Sequence, residues 1–388
     1  MPLAPGVFVQ EARSGSAPVA GVGTSTPAFI GLYQAQTPPA GKHPSKTLVF
    51  CANFTEFGER FPPLPVAAGQ PPSADAVSHL NLMHAVFGFF QNGGTGCYVI
   101  RGDAAAALND VLAVLATADN IQIVAAPGVT TKASVDAIAT HCSSMKDRFA
   151  ILDLDRDTAE LDKITAADKL PYARSDYAAV YHPWLEVSSL TEPGTRFVPP
   201  SGHVAGVYAR VDATRGVHKA PANEPIQGAL GVKNPISASL QSIINTPGIN
   251  CIRALNGNIR IWGARTLGAD QNKALDGGDF TYVHVRRLFN FIRTSIERGT
   301  QYTVFEPNNP NLWANVTRSL SSFLLGLWEQ GALFGTTPQA AFFVQCDEET
   351  NPPHRRAIGE MRARIGVNIV PTAEFVIFEL GQTDPEKK

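Results

Sequence analysis

Gly23-Thr24-Ser25 sets a serine behind a glycine and a small hydroxyl residue, the kind of context in which subtilisin-type proteases hold a nucleophile. Such a serine opens a helix, where the helix terminus and a nearby base activate its hydroxyl. Here Ser25 runs into Thr26-Pro27 and an apolar, strand-type segment, which removes the helix terminus. Asp212 and His218 are the partners that would complete a triad. Residues of these types occur throughout a chain of 388 residues, so the constellation is weak. No Walker-type loop or GxGxxG turn is present to cradle a phosphate, and HExxH is absent. The nine histidines show no tight spacing with cysteine or aspartate, so neither a metal site nor a cofactor is expected. Asp153, Asp155 and Asp157 alternate, but the glycine and closing glutamate of a calcium loop are missing. They read as a solvated strand end and loop. Arg101-Gly102-Asp103 matches an integrin-binding tripeptide and reads as a turn. Asp347-Glu348-Glu349 stands against the basic stretch His354-Arg355-Arg356. Local pairing of exposed charges explains it, at no more than about 1 kcal/mol per pair. The enzyme reading left standing is an α/β hydrolytic protein with a helical C-terminal domain.

The chain is 44% hydrophobic and 17% charged, long enough for two or three domains with cores of their own. So low a charged fraction suits a protein that buries much of its surface against neighbours. The formal net charge is -2, so no basic excess exists to hold nucleic acid through its phosphates. The N-terminus lacks a basic and an apolar region, and no secretory signal is expected. The most apolar stretch, 323–328, is far shorter than the roughly 20 residues that span a bilayer, so membrane insertion is not expected. The five cysteines are scattered without a CxxC pair and read as reduced core thiols of a chain made in the cytoplasm.

Alternating strand and helix patterns govern the middle of the chain. Strands are expected at 26–33, 97–100, 121–128, 149–154 and 177–181, and helices at 74–91, 104–118 and 132–147. This rhythm argues for a parallel α/β layer. Residues 34–75, rich in proline, read as mostly loop. The small residues in Val204-Ala205-Gly206-Val207-Tyr208-Ala209 suit a tightly packed helix. In the C-terminal part Val285, Leu288, Phe289, Ile292 and Ile296 line one helix face. Arg286 and Arg293 lie beside that face, and Arg287 and Arg298 point away. A second helix carries Leu312, Val316, Leu320, Phe323, Leu324 and Leu327. A third is expected over about 353–365, with Ala357, Ile358, Met361 and Ile365 inward. Strands are expected at 259–262, 302–305, 341–345 and 374–380. At the N-terminus Pro5-Gly6-Val7-Phe8-Val9 is a short β-type run before a linker. It reads either as a frayed terminus or as a strand donated to another subunit's sheet edge.

The last third carries Gly248-Ile249-Asn250-Cys251-Ile252-Arg253, Ile261-Trp262-Gly263-Ala264-Arg265-Thr266-Leu267, Val304-Phe305-Glu306-Pro307-Asn308, Leu312-Trp313 and Ala373-Glu374-Phe375-Val376-Ile377-Phe378, in that order. Together with 195–222 this order resembles the contractile tail sheath proteins of phage tails, phage-like bacteriocins and extracellular injection systems. Many relatives have a second proline before the final Ala-Glu-Phe, where Thr372 follows Pro371 here.

The resemblance implies a multi-domain sheath subunit of mixed α/β and α+β class. It would have an N-terminal arm at 1–22, an α/β middle domain at 23–247, a C-terminal α+β domain at 248–370 and a C-terminal strand arm at 371–388. It implies a structural, non-enzymatic role in a helical homo-oligomer of stacked hexameric rings, contracting around an inner tube protein between baseplate and tail-terminator proteins. A heterologous contact that does not close generates such an open filament. Strand exchange between subunits would use Val7, Phe8 and Val9 and Phe375, Val376, Ile377 and Phe378. Arg355, Arg356, Arg362 and Arg364 are the candidates to face the tube, with Arg287 and Arg298 as competitors. Assembly would take place in the bacterial cytoplasm, into a phage tail or a releasable injection particle.

Overall fold

Six parallel strands form the centre of the protein in a computed structural model. It describes residues 19–35, 41–66, 70–158, 161–164, 169–268, 280–370 and 372–374. The strands are β1 (Pro27–Leu32), β2 (Val49–Cys51), β3 (Cys97–Gly102), β4 (Ile123–Ala125), β5 (Phe149–Asp153), β6 (Ala178–His182), β7 (Leu185–Ser188), β8 (Thr195–Val198), β9 (Glu224–Pro225), β10 (Ala229–Val232), β11 (Ile249–Leu255), β12 (Asn258–Ile261), β13 (Phe342–Gln345) and β14 (Arg364–Val367). The main sheet runs β2-β3-β1-β4-β5-β6-β11-β12-β9. Its core from β3 to β11 is parallel, with antiparallel strands added at both edges. The alternation of strand and helix read from the sequence is therefore the architecture. The sheet also runs across position 248, because Ile249 pairs with Val180.

The helices are α1 (Phe54–Arg60), α2 (Ala74–Gln91), α3 (Leu108–Ala116), α4 (Lys132–Met145), α5 (Ser201–Arg215), α6 (Ala238–Ile244), α7 (Val283–Gly299), α8 (Pro310–Glu329), α9 (Pro338–Ala341) and α10 (Pro353–Ala357). Strand residues alternate between two cores, as the period of two demands. Phe29, Ile151 and Tyr181 face α2 and α5, while Ala28, Leu152 and Val180 face α3, α4 and α6. Helix α2 is buried nearly all round because it lies under both the sheet and α5. The small residues of α5 make that approach possible. A Cβ on Gly202 would stand 2.3 Å from the Ala85 Cα, and one on Gly206 2.5 Å from the Phe89 carbonyl oxygen.

Several expectations need correction. Residues 34–75 hold β2 and α1 as well as loop. Asn53 caps α1 through the Glu56 amide, and Phe57 and Phe61 stack at 5.4 Å in the core. Asp153 is buried rather than solvated, and accepts from the Gly128 amide and from the amide and hydroxyl of Ser201, the start of α5. Arg101 ends a strand inside the protein, where it donates to the carbonyls of Tyr33 and His43. The strand expected at 302–305 is a short 3₁₀ turn, Gln301–Thr303, after which Val304 and Phe305 are exposed. The third helix ends at Ala357. Gly359 has φ +77, a conformation that terminates helices, and Ile358 is exposed at 77% rather than inward. The chain then forms β14, which pairs antiparallel with β13. A separate three-stranded sheet, β10-β7-β8, lies beside the main one.

Candidate subunit-linking site

Helix α7 carries the root of the N-terminal segment, and the root of the C-terminal segment is held close to its start. Residues 19–24 run along it from its C-terminal end. Val19 is buried against Gly299, where a Cβ would come within 2.8 Å of its methyl groups. Gly21 packs on the Phe291 ring, and the Val22 amide donates to the Ser295 hydroxyl at 3.2 Å. The Thr24 hydroxyl then donates to Asp212 at 2.7 Å, and Arg287 donates to the Thr24 carbonyl at 2.9 Å.

Arg287 and Asp212 form a forked ion pair at 2.6 and 2.9 Å, with side chains only 3% and 4% exposed. The guanidinium also lies 4.6 Å from the centre of the Tyr208 ring. Burial alone would lower the Arg287 pKa, but Asp212 beside it reverses the sign and keeps the cation charged. The pair couples α5 of the central unit, α7 of the C-terminal unit and the N-terminal segment. Arg287 is therefore neither pointing away nor exposed, and cannot compete for a tube. Arg298 is partly covered and bonds to Asp119 and Asn120. Arg286 is also buried, ion-paired with Asp176 and stacked 3.3 Å from the Phe280 ring centre. Phe289, expected on the buried face, is 37% exposed. A stripe of apolar residues could not show that α7 is buried on its arginine side as well.

The C-terminal segment is held at Glu374. Its carboxylate accepts from Arg265 at 2.7, 2.9 and 3.1 Å, from Tyr282 at 2.7 Å and from Asn245 at 2.8 Å. Burial pushes the Glu374 carboxyl up, yet these donors outweigh it and hold it below its ordinary value. Burial and the same carboxylate push the Tyr282 phenol up to about 12. Two sequence motifs meet here, Gly263-Ala264-Arg265 and Ala373-Glu374, a pairing that spacing alone does not reveal. A groove of about 750 Å³ opens alongside, lined in part by Trp262, Gln241 and Thr372.

The other predicted residues stand as follows. Val7, Phe8, Val9, Phe375, Val376, Ile377 and Phe378 lie outside the described residues. Arg356, Arg362 and Arg364 are exposed and Arg355 is half-buried. Arg355 and Arg362 share Glu360, at 2.8 and 2.6 Å, and their hydrogen bonds lower its pKa. Arg356 reaches over Trp313 at 5.7 Å. The acidic residues at 347–349 fold mainly on themselves, Asp347 accepting from the amides of Glu349 and Thr350. The proteolytic triad is not assembled. Asp212 is taken by Arg287 and Thr24, and no hydrogen bond among the described residues joins it to a histidine.

Residues 102–267 match the family described as phage tail sheath protein central domain, and 276–383 the phage tail sheath C-terminal domain. The chain is 30% identical to the sheath of an extracellular contractile injection system, PVC, in its contracted state. That match covers 100% of this chain and 99% of the other with a TM-score of 0.78. The chain belongs to the contractile tail sheath family. This sheath chain is also similar to the helical sheath of the anti-feeding prophage in its contracted state, at 27% identity, TM-score 0.76, and 99% and 100% coverage. The tail sheath protein of Burkholderia phage BcepMu is 26% identical over 212 residues, 53% of this chain and 42% of that protein. The chain thus spans under half the length of the curated phage relatives it matches. The family is structural, which sets aside the hydrolytic reading.

Proposed function

We propose that this chain is the sheath subunit of an extracellular contractile injection system. It polymerises in stacked hexameric rings around an inner tube and contracts to drive that tube through a target envelope. The end-to-end match to an injection-system sheath carries the reading, since the phage relatives align over only part of their length. Baseplate and terminator proteins are its partners at the two ends, and assembly precedes release from the cell.

The arms supply the links. Residues 7–9 and 375–378 pair as strands with the sheet of a neighbouring subunit, where main-chain hydrogen bonds give affinity without a preformed pocket. The receiving sheet is β13–β14. It has two strands, and a lone two-stranded sheet is marginal without further pairing. The N-terminal root lies along α7, and the C-terminal root is held by Arg265, Asn245 and Tyr282, the residue just before α7, so the two arms pull on neighbouring parts of the body. Contraction then rotates bodies that keep their internal packing while the links beyond Val19 and Glu374 bend. Arg355, Arg356, Arg362 and Arg364 face the tube. The proposed division keeps arms at 1–22 and 371–388. The unbroken main sheet supports assigning β11 and β12 to the middle unit, with the C-terminal unit beginning near 280.

Negative-stain electron microscopy tests this on the purified chain with a tube template, beside a version lacking residues 1–18. Wide hollow tubes from the full chain and none from the shortened one are expected. Monodisperse monomers from both, with the template present, would overturn the reading.

A further inference from the structure

The edge of the main sheet holds two thiols that lie outside the proposed subunit links. Strand β2 pairs antiparallel with β3 in a register that sets Cys51 directly opposite Cys97. Both are fully buried and both are reduced. Directly opposed residues on one face of an antiparallel pair have Cβ atoms about 4.5–5.5 Å apart. A disulfide needs Cα atoms about 4.4–6.8 Å and Cβ atoms about 3.5–4.5 Å apart. Closure therefore asks for a shift of about 1 Å, small for an edge strand of three residues. Gly96, beside Cys97, adds no side chain to resist it, and the Phe50 ring lies over that glycine. Cys142 and Cys251 belong to the core on the other face of the sheet, and Cys346 follows β13.

We propose that Cys51 and Cys97 are a redox-modifiable pair that closes into a cross-strand disulfide on meeting an oxidised low-molecular-weight disulfide. The Cys51 thiolate attacks one sulfur of oxidised glutathione, releasing one glutathione and leaving a mixed disulfide. The Cys97 thiolate then attacks the Cys51 sulfur and releases the second glutathione. Two cysteine thiols give up two protons and two electrons, and one glutathione disulfide takes them up. Burial pushes the Cys51 thiol up to about 11 and the Cys97 thiol well above its ordinary value, so thiolate is scarce while the edge is closed. The pair reacts through openings of β2 and stays reduced where glutathione is reduced. Once formed, the bond closes the segment between residues 51 and 97 and restrains the unfolded chain. None of this depends on how subunits assemble.

The test is peptide mapping of the full-length chain after incubation with oxidised or reduced glutathione, alkylated under denaturing conditions. Oxidation is expected to join the Cys51 and Cys97 peptides at about 2 Da below their summed mass. Cys142, Cys251 and Cys346 stay alkylated, and the unfolding midpoint rises in a way that dithiothreitol reverses. Cys51→Ala and Cys97→Ala each remove both the link and the rise. Five alkylated thiols in the oxidised wild type, a mixed disulfide that never resolves, or a link to another cysteine would overturn the proposal. The wild-type map decides this even where a variant fails to fold.

Discussion

The main sheet and the β13–β14 sheet meet the same difficulty, unpaired strand edges, in opposite ways. The main sheet has nine strands, helices on both faces and two continuous cores. The C-terminal sheet has two strands and one covered face. Phe342, Val344, Ile365 and Val367 pack inward on α7 and α8, while Phe343 between them is 52% exposed. Phe334, Phe305 and Ile358 add exposed apolar surface in the same unit. On the proposed reading, one unit is finished within a single chain and the other is completed by a strand from another chain.

Removing residues 1–18 should have the largest effect, and it should fall on one side of this contrast. Helical assembly is expected to vanish while the unfolding midpoint of the monomer holds, because the anchor from Val19 to Thr24 remains. A large fall in that midpoint by calorimetry would mean that the arm stabilises its own subunit, and the contrast would break. Asp212→Ala tests the joint between the units. It leaves the buried Arg287 unpaired, a loss expected to cost about 3–5 kcal/mol in denaturant unfolding. Asp212→Ala combined with Arg287→Met should recover much of it.

Acid should act mainly through the buried histidines of the central layers, with His284 of α7, also lowered to about 4, adding a smaller share. Burial lowers His79, His141 and His182 to about 4 and His203 to about 3, each in the central layers. The unfolded chain, with histidines near about 6.5, binds more protons in between. Their stability is therefore complete above about pH 6.5 and lost as pH falls towards 4. Asp153 opposes this, since burial raises it to about 6 and its share favours the fold at lower pH. Four histidines outweigh one carboxyl, so the midpoint should drop from pH 7 to 4. A flat profile from scanning calorimetry over that range would count against this account.

Glu374→Gln should be milder for the fold, about 1–3 kcal/mol, as Arg265 loses its ionic partner. Its plainer signature is shorter or fewer tubes from an arm whose root is loosened, measured as polymer length at fixed concentration. The paired carboxylate adds stability above its unfolded value and loses it as pH falls through its lowered folded value. Reversal of charge at Arg356 and Arg362 should change the fold least, since both are exposed. It should weaken co-sedimentation with the tube protein without altering the midpoint.

Local patterns in the chain were enough for the alternating α/β order, the span of α2, the close-packed character of α5 and the family. Each of these rests on local signals: a period of two or 3.6, runs of small residues, and motifs in order. The roles of the charged residues emerge in the folded arrangement alone. Arg287 read as pointing away from its helix face, Arg101 as part of a turn and Asp153 as solvated, because a charge is placed by partners far away in the chain. Arg287 meets Asp212 and Glu374 meets Arg265, separated by 75 and 109 positions. The C-terminal helix read over 353–365 failed for a related reason. The pairing of β14 with β13 outweighed a local helical pattern, and long-range hydrogen bonds leave no periodic trace in the segment that forms them.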